Sequence, residues 1–120
     1  MGNEAGSNIG NVANEMGNYI LPIKFGSGAA IPVVKIGTGW YHSGAIMSDF
    51  KLKCFGRNGQ GQLGYGDTTH RGNNANQMGN YLDFVNLGSG RTAVDVMGSH
   101  HSMCAILDNF GIKCWGDNQV

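Results

Sequence analysis

Three cysteines and four histidines are the side chains of this 120-residue chain with the greatest chemical potential. Cys104 and Cys114 flank two short apolar runs separated by the turn signal Asp108-Asn109-Phe110-Gly111, a pattern that predicts a β-hairpin. A turn centred on Asn109 places Cys104 opposite Cys114, at a separation that a disulfide can span. The hairpin therefore predicts a Cys104–Cys114 disulfide, and a pair of reduced, buried thiols is the alternative.

The third cysteine stands in a second copy of this hairpin, sixty residues earlier, between Gly44 and Gly56. In the same register Cys54 faces Gly44, so we expect it to be an unpaired, buried thiol, with an intermolecular bridge as the alternative. A disulfide implies an oxidising compartment. We therefore expect an extracellular or cell-surface protein, while reduced cysteines would fit the cytoplasm.

Metal, cofactor and catalytic chemistry all find weak support in the residues. His100 and His101 precede Cys104 closely, but zinc needs three or four convergent ligands and no second cluster exists. The run Gly59-Gln60-Gly61-Gln62-Leu63-Gly64 matches the dinucleotide fingerprint literally, yet no βαβ unit surrounds it. Because no nucleophile elbow or paired carboxylates are present either, we expect no metal, no cofactor and no enzymatic activity.

The composition excludes two further classes of function. Charged residues make up 13% of the chain and its net charge is zero, so the clustered Lys and Arg of a nucleic-acid-binding surface are missing. No run approaches the roughly 18–20 apolar residues of a membrane span. We expect neither nucleic acid nor a membrane span.

An internal repeat organises the chain. The segment Met16-Gly17-Asn18-Tyr19-Ile20 returns as Met78-Gly79-Asn80-Tyr81-Leu82, 62 residues later, and eleven of the 21 residues from 8 to 28 are identical at this offset. Such self-similarity is typical of stacked repeat units. The chain therefore reads as one repeat module, residues 1–120, with a first unit of about 1–62 and a second of about 63–120.

Each unit has the same order of predicted elements. Residues 1–15 are polar and glycine-rich and predict a loop, whereas β-branched runs at 31–36 and 93–97 predict strands that lead into the two hairpins. No segment has helical spacing over ten or more residues. The pattern of short strands is typical of an all-β sandwich or propeller.

These motifs resemble the regulator of chromosome condensation repeat family. The family pattern is a Gly-x-x-His-Ser/Thr-Cys-Ala stretch, a hairpin, and then Cys-Trp-Gly-x-Asn-x-x-Gly-Gln-Leu-Gly-x-Gly-Asp. Here it stands as His101 to Ala105 followed by Cys114 to Asn118, and as Cys54 to Asp67 in the first unit. Three departures are visible: Gly44 replaces a cysteine, Phe55 replaces a tryptophan, and Met103 is an extra residue.

The resemblance implies a fold and a set of structural residues. It implies antiparallel four-stranded propeller blades, so that two units of about 60 residues form an incomplete ring on their own. His42 and His101 would pack and hydrogen-bond between blades. The remaining motif positions would shape the turns between blades; they are Gly56, Asn58, Gly61, Gln62, Leu63, Gly64, Gly116 and Asn118.

The predicted function follows from the unfinished ring. Two units leave blade faces and strand edges uncovered, so we expect a non-enzymatic structural or interaction unit completed by self-assembly, as a ring or filament, or by further repeats. The two ends of the chain fall at a matching phase of the repeat, which favours a homo-oligomer. The alternative is a fragment of a regulatory propeller, either a guanine-nucleotide exchange factor for a small GTPase or a protein inhibitor of an enzyme.

Overall fold

Two three-stranded antiparallel sheets make up the fold in the computed structural model, which describes residues 8–27 and 32–119. Residues 1–7 of the predicted N-terminal loop lie outside the described residues, as does Ile31 of the first predicted strand. The strands are β1 (Val33–Thr38), β2 (His42–Met47) and β3 (Leu52–Gly56) in the first sheet, and β4 (Ala93–Gly98), β5 (Ser102–Leu107) and β6 (Ile112–Gly116) in the second. Short 3₁₀ turns at Gly17–Tyr19 and Gly79–Tyr81 precede them.

The hairpin register predicted from the sequence is confirmed in both sheets. Cys104 pairs with Cys114 across β5 and β6, and the two are joined by a disulfide. Gly44 pairs with Cys54 across β2 and β3, and the Cys54 thiol is free and buried. The turn residues decide this register, because two facing apolar runs alone would tolerate a slip.

The number of strands differs from the prediction. Among the described residues each sheet has three strands, in the order β1-β2-β3 and β4-β5-β6, so the four-stranded blades implied by the resemblance are not confirmed. Beyond β3, the described residues form only an isolated bridge, between Gly56 and Arg71. The segment after β3 is rich in glycine and asparagine and turns away after this single pair, since such residues favour turns over extended pairing.

The register also corrects the reading of Met103 as an extra residue. β2 and β5 have the same length, and Ser102 pairs with Gly116 as His42 pairs with Gly56. Met103 therefore takes the position of Ser43 and is fully buried. Ser102, rather than His101, is the structural counterpart of His42.

The two sheets share one hydrophobic core. Ile46, Leu52 and Cys54 of the first sheet pack in a single cluster with Val96 and Ala105 of the second. Strand β4 crosses β1 and β2, so the core is the contact between the units, which we call the seam. Repeat units commonly depend on such stacking because one unit alone cannot bury its apolar face.

Backbones approach closely where the inner strands cross. A Cβ atom on Gly37 would lie 2.3 Å from the carbonyl oxygen of Val96, nearer than any side chain tolerates. The absence of a side chain at Gly37 therefore sets the distance between β1 and β4. Lys35 and Asp95 add a partly exposed ion pair across the same strands, with Nζ 2.6 Å from Oδ2.

Candidate interaction site: the seam and the open faces

The predicted histidines lie close to the seam but do not play the same part. His42 is buried at the start of β2, and its Nε2 lies 3.2 Å from the carbonyl oxygen of Ser102 in the second sheet. Burial lowers the pKa of His42, and the hydrogen bond to Ser102 opposes this only in part. His42 thus joins the two units as a neutral imidazole whose Nε2–H donates.

His101 directly precedes β5 and lies in a cluster of aromatic side chains. Its imidazole stacks on His100, with ring centroids 3.9 Å apart, and His100 meets the Trp40 ring edge-on. The indole-bearing Trp40 also donates its backbone N–H to Ser99, 3.3 Å away. His101 therefore contributes ring packing at the end of the seam, whereas His42 contributes a side-chain hydrogen bond between the units.

The glycine motif after the first hairpin forms a compact, buried turn. Asn58 is fully buried; its Oδ1 accepts from the backbone N–H of Leu63 at 2.8 Å and its Nδ2 donates to Asp67. Gln62 and Leu63 are also fully buried. Arg71 bonds to Asp67 through two nitrogens, which lowers the pKa of this carboxyl to about 2. The motif therefore forms a hydrogen-bonded turn that directs the chain from β3 into the second unit.

The motif glycines fit this interpretation in backbone conformation, but Asn118 differs from its counterpart in burial. Asn118, the counterpart of Asn58, is exposed. Positive φ angles, which favour glycine, occur at each motif glycine. These are Gly56 (117°), Gly61 (75°), Gly64 (78°) and Gly116 (105°).

A tyrosine that the sequence reading overlooked closes the edge of the first sheet. The Tyr65 hydroxyl accepts from the Cys54 N–H at 2.9 Å and lies 3.0 Å from the Cys54 carbonyl and 2.9 Å from that of Asp83. Farther along the edge, Val85 N–H donates to Leu52 and Gly56 pairs with Arg71. The outward N–H and C=O groups of Cys54 and Gly56, together with the Leu52 carbonyl, are therefore hydrogen-bonded to the second unit.

A pair of lysines, also missed, anchors the loop in front of each sheet. Lys53 Nζ donates to the carbonyls of Phe25 and Gly79 at 2.7 and 2.9 Å, and Lys113 Nζ donates to that of Leu87 at 2.9 Å. Burial lowers the pKa of Lys53. The recurrence of the lysine sixty residues later was the sequence signal that could have identified this pair. The matching hydrogen bonds show that Phe25 and Leu87 occupy equivalent places in the two units.

The part of the chain that the structure describes provides no such cover for the last strand, β6. Leu52 of β3 is 0% exposed, whereas Ile112, its counterpart in β6, is 67% exposed. In the segment that precedes each sheet, Met78 is 5% exposed and its counterpart Met16 is 59% exposed. One unit contact is thus formed within the chain, and both halves of a second contact face solvent.

Among residues 8–27 and 32–119 no group of three His, Cys, Asp or Glu side chains could hold a metal ion. Within the same ranges no helix has the length and apolar character needed to cross a membrane. The described residues do provide an apolar packing surface around Met16 and an unpaired edge at β6.

Fold and seam together define a propeller-type repeat protein with an open, unclosed arrangement of sheets. Residues 33–62 match the family model of the Regulator of chromosome condensation (RCC1) repeat, which confirms the family resemblance carried by the motifs. No curated protein matches the chain in a sequence search.

Solved structures of similar fold include human WBSCR16, with a TM-score of 0.58 and 20% identity, over 72% of this chain and 20% of that one. Prp20p from Saccharomyces cerevisiae, in work on its binding to Gsp1p and histones, gives a TM-score of 0.54 at 18% identity, over 70% of this chain and 19% of that one. Yeast RCC1 (Prp20) bound to Kap60 gives 0.52 at 18% identity with the same coverage. The chain spans about a fifth of these proteins, and the likeness establishes the fold.

Proposed function

We propose that this chain is a non-enzymatic interaction module whose open faces are covered by further RCC1-type repeat units, among them copies of itself. The observation that carries the proposal is the contrast between β3 and β6. Strand β3, which the second unit covers, is buried throughout, whereas the equivalent strand β6 is exposed at Ile112, Lys113 and Cys114. Edge strands and apolar faces of this kind are pairing surfaces.

The two open faces are complementary. A following unit would bind the outer side of β6, where Ile112 is exposed and the Cys114 edge is uncovered. The face that awaits a preceding unit is the segment around Met16 and Ile20, whose counterparts Met78 and Leu82 are buried under the first sheet. Joining such faces head to tail gives a ring if the rotation closes and a filament if it does not.

The experiment is a concentration series of native mass, by sedimentation equilibrium, with electron micrographs of the same samples. We expect reversible, concentration-dependent association that Ile112→Glu abolishes, because the variant places a charge in the contact. Gln60→Glu is the matched control, since it adds the same charge at an exposed loop position. A wild-type chain that stays monomeric at every concentration and binds no repeat segment would contradict the proposal.

A second candidate is a part in a regulatory propeller, as in an exchange factor for a small GTPase. Its support is the fold shared with Prp20p, which is described as binding Gsp1p and histones. The corresponding assay is nucleotide release from a small GTPase with and without the chain. An unchanged rate of release would contradict this candidate.

A further inference from the structure

A groove lies open beside the last strand of the second sheet. It has a volume of about 440 Å³ and is lined by Val85 and Leu87 on one side and by Lys113, Cys114 and Trp115 of β6 on the other. Its Trp115 indole is fixed by a hydrogen bond from Nε1 to the Gln62 carbonyl, at 3.0 Å. We call this the outer groove.

The equivalent groove of the first unit is filled, and its contents are known. Phe25, Lys53 and Phe55 stand where Leu87, Lys113 and Trp115 stand in the outer groove, as the matching lysine hydrogen bonds show. Tyr65 fills this space together with Met78 and Leu82 of the second unit. The occupant of a groove of this kind is therefore a tyrosine-bearing segment from the next repeat.

The hydrogen-bonding groups that hold the tyrosine recur in the outer groove. Cys54 and Gly44 face each other as Cys114 and Cys104 do, so the backbone N–H and C=O of both Cys54 and Cys114 point away from their sheet. Those of Cys54 meet the Tyr65 hydroxyl. No hydrogen bond to those of Cys114 comes from the part of the chain that the structure describes.

We propose that the outer groove is a socket for a tyrosine of a further repeat segment, and that it selects such a segment over a second copy of this chain. The inference rests on the proposed function and names the partner of the same face. The phenol would fill the cavity and its hydroxyl would bond the Cys114 backbone. Met and Leu side chains, thirteen and seventeen residues after the tyrosine, would cover the rest, as Met78 and Leu82 do for Tyr65.

A second copy meets this requirement incompletely. At the 62-residue offset it offers Met16 and Ile20 in place of Met78 and Leu82, but Asn3 in place of Tyr65. An asparagine side chain lacks the ring that would fill the cavity and is shorter than the tyrosine whose hydroxyl would meet the Cys114 backbone. Copies of the chain therefore bind this face more weakly than a repeat that carries the tyrosine.

The test gives the full chain the missing tyrosine. We expect Asn3→Tyr to tighten self-association at least tenfold in sedimentation equilibrium, and Asn3→Phe, which has the ring without the hydroxyl, to give a smaller gain. Adding Ile112→Glu to Asn3→Tyr should remove the gain, which would place the effect in the outer groove. A wild-type chain that associates as tightly as Asn3→Tyr overturns the tyrosine selection and leaves the proposed function standing.

If both the wild-type chain and Asn3→Tyr remain monomeric, a peptide-binding experiment tests the proposal. The probe is a synthetic segment with the sequence of residues 62–85, compared with its Tyr65→Asn form, and its binding is followed by Trp115 fluorescence in a Trp40→Phe chain. Binding of the native peptide at least tenfold tighter than that of the Asn peptide supports the socket. Equal binding overturns the selection alone, and absence of binding by both overturns the selection and the proposed function together.

Discussion

Two phenylalanines occupy a backbone conformation that rarely holds such a residue. Phe50 and Phe110 have φ values of 61° and 63° at the tips of the two hairpins. In each loop the phenylalanine N–H bonds to the carbonyl three residues back, for example Phe110 to Leu107 at 3.0 Å, and the left-handed residue then closes the hairpin. Bulky residues pay a steric cost in this region, which glycine and asparagine largely avoid.

Relief of that cost at Phe110 is the first prediction. The Phe110 ring is 89% exposed, so replacing it removes little packing. We expect Phe110→Asn to raise the free energy of unfolding by about 1 kcal/mol, measured by denaturant unfolding. Phe110→Leu, which keeps a bulky side chain in the same conformation, should give no such gain. Equal stability of the Asn and Leu variants would show that the loop is not strained.

His42 makes the stability of the seam depend on pH. Because burial lowers its pKa in the folded chain, the unfolded chain, with a pKa near 6.5, binds more protons in the interval between the two values. The contribution of His42 to the free energy of unfolding should therefore be fully present above about pH 6.5. It should fall as the pH is lowered from there to the pKa of the folded state.

The check on His42 is the slope of stability against pH. His42→Gln keeps a side-chain donor for the Ser102 carbonyl but cannot titrate, so we expect it to flatten the curve in this interval. Asp67, whose pKa is lowered to about 2 by Arg71, acts only below about pH 4 and does not interfere. A slope that the variant leaves unchanged would assign the effect to other groups.

At the scale of elements, the hairpins were predictable and the edges were not. The pairing of Cys104 with Cys114 followed from the turn at Asn109, a local signal. Tyr65 escaped prediction because nothing near it in sequence shows that its hydroxyl meets Cys54, eleven residues earlier. The alignment of His42 with His101 was wrong in register, since motif letters matched while the strand pairing placed Ser102 there.

The inner strands give a matched pair of positions for mutation. Gly37 of β1 and Met97 of β4 hold the same place in their sheets, as their pairing with Gly44 and Cys104 shows. Gly37→Ala pushes a Cβ into the Val96 backbone and should cost about 1–3 kcal/mol. Met97→Ala alters a side chain that is 55% exposed and should stay within about 0.5 kcal/mol. Chemical denaturation measures both, and equal effects would mean that the strands have room to separate.

For the molecule as a whole, the core belongs to neither unit alone. Leu52 and Cys54 of the first sheet are buried only because Leu63, Val85 and Val96 of the second unit cover them. Within residues 8–27 and 32–119 nothing equivalent covers the second sheet, so its outer side is less protected than that of the first. The local stability against unfolding therefore decreases from the seam to the open edge of β6.

Amide hydrogen exchange should display this gradient in matched residues. The Cys54 N–H donates to Tyr65 and the Gly56 N–H to Arg71, so in the monomer both should exchange at least about 100-fold more slowly than the amides of Cys114 and Gly116. The measurement is residue-resolved exchange by NMR at a concentration where the chain is monomeric. Equal rates in β3 and β6 would contradict the open edge, because these amides hold equivalent positions in their sheets and differ in the cover over them. Slowing of the Cys114 amide as concentration rises would identify β6 as the strand that a partner unit covers.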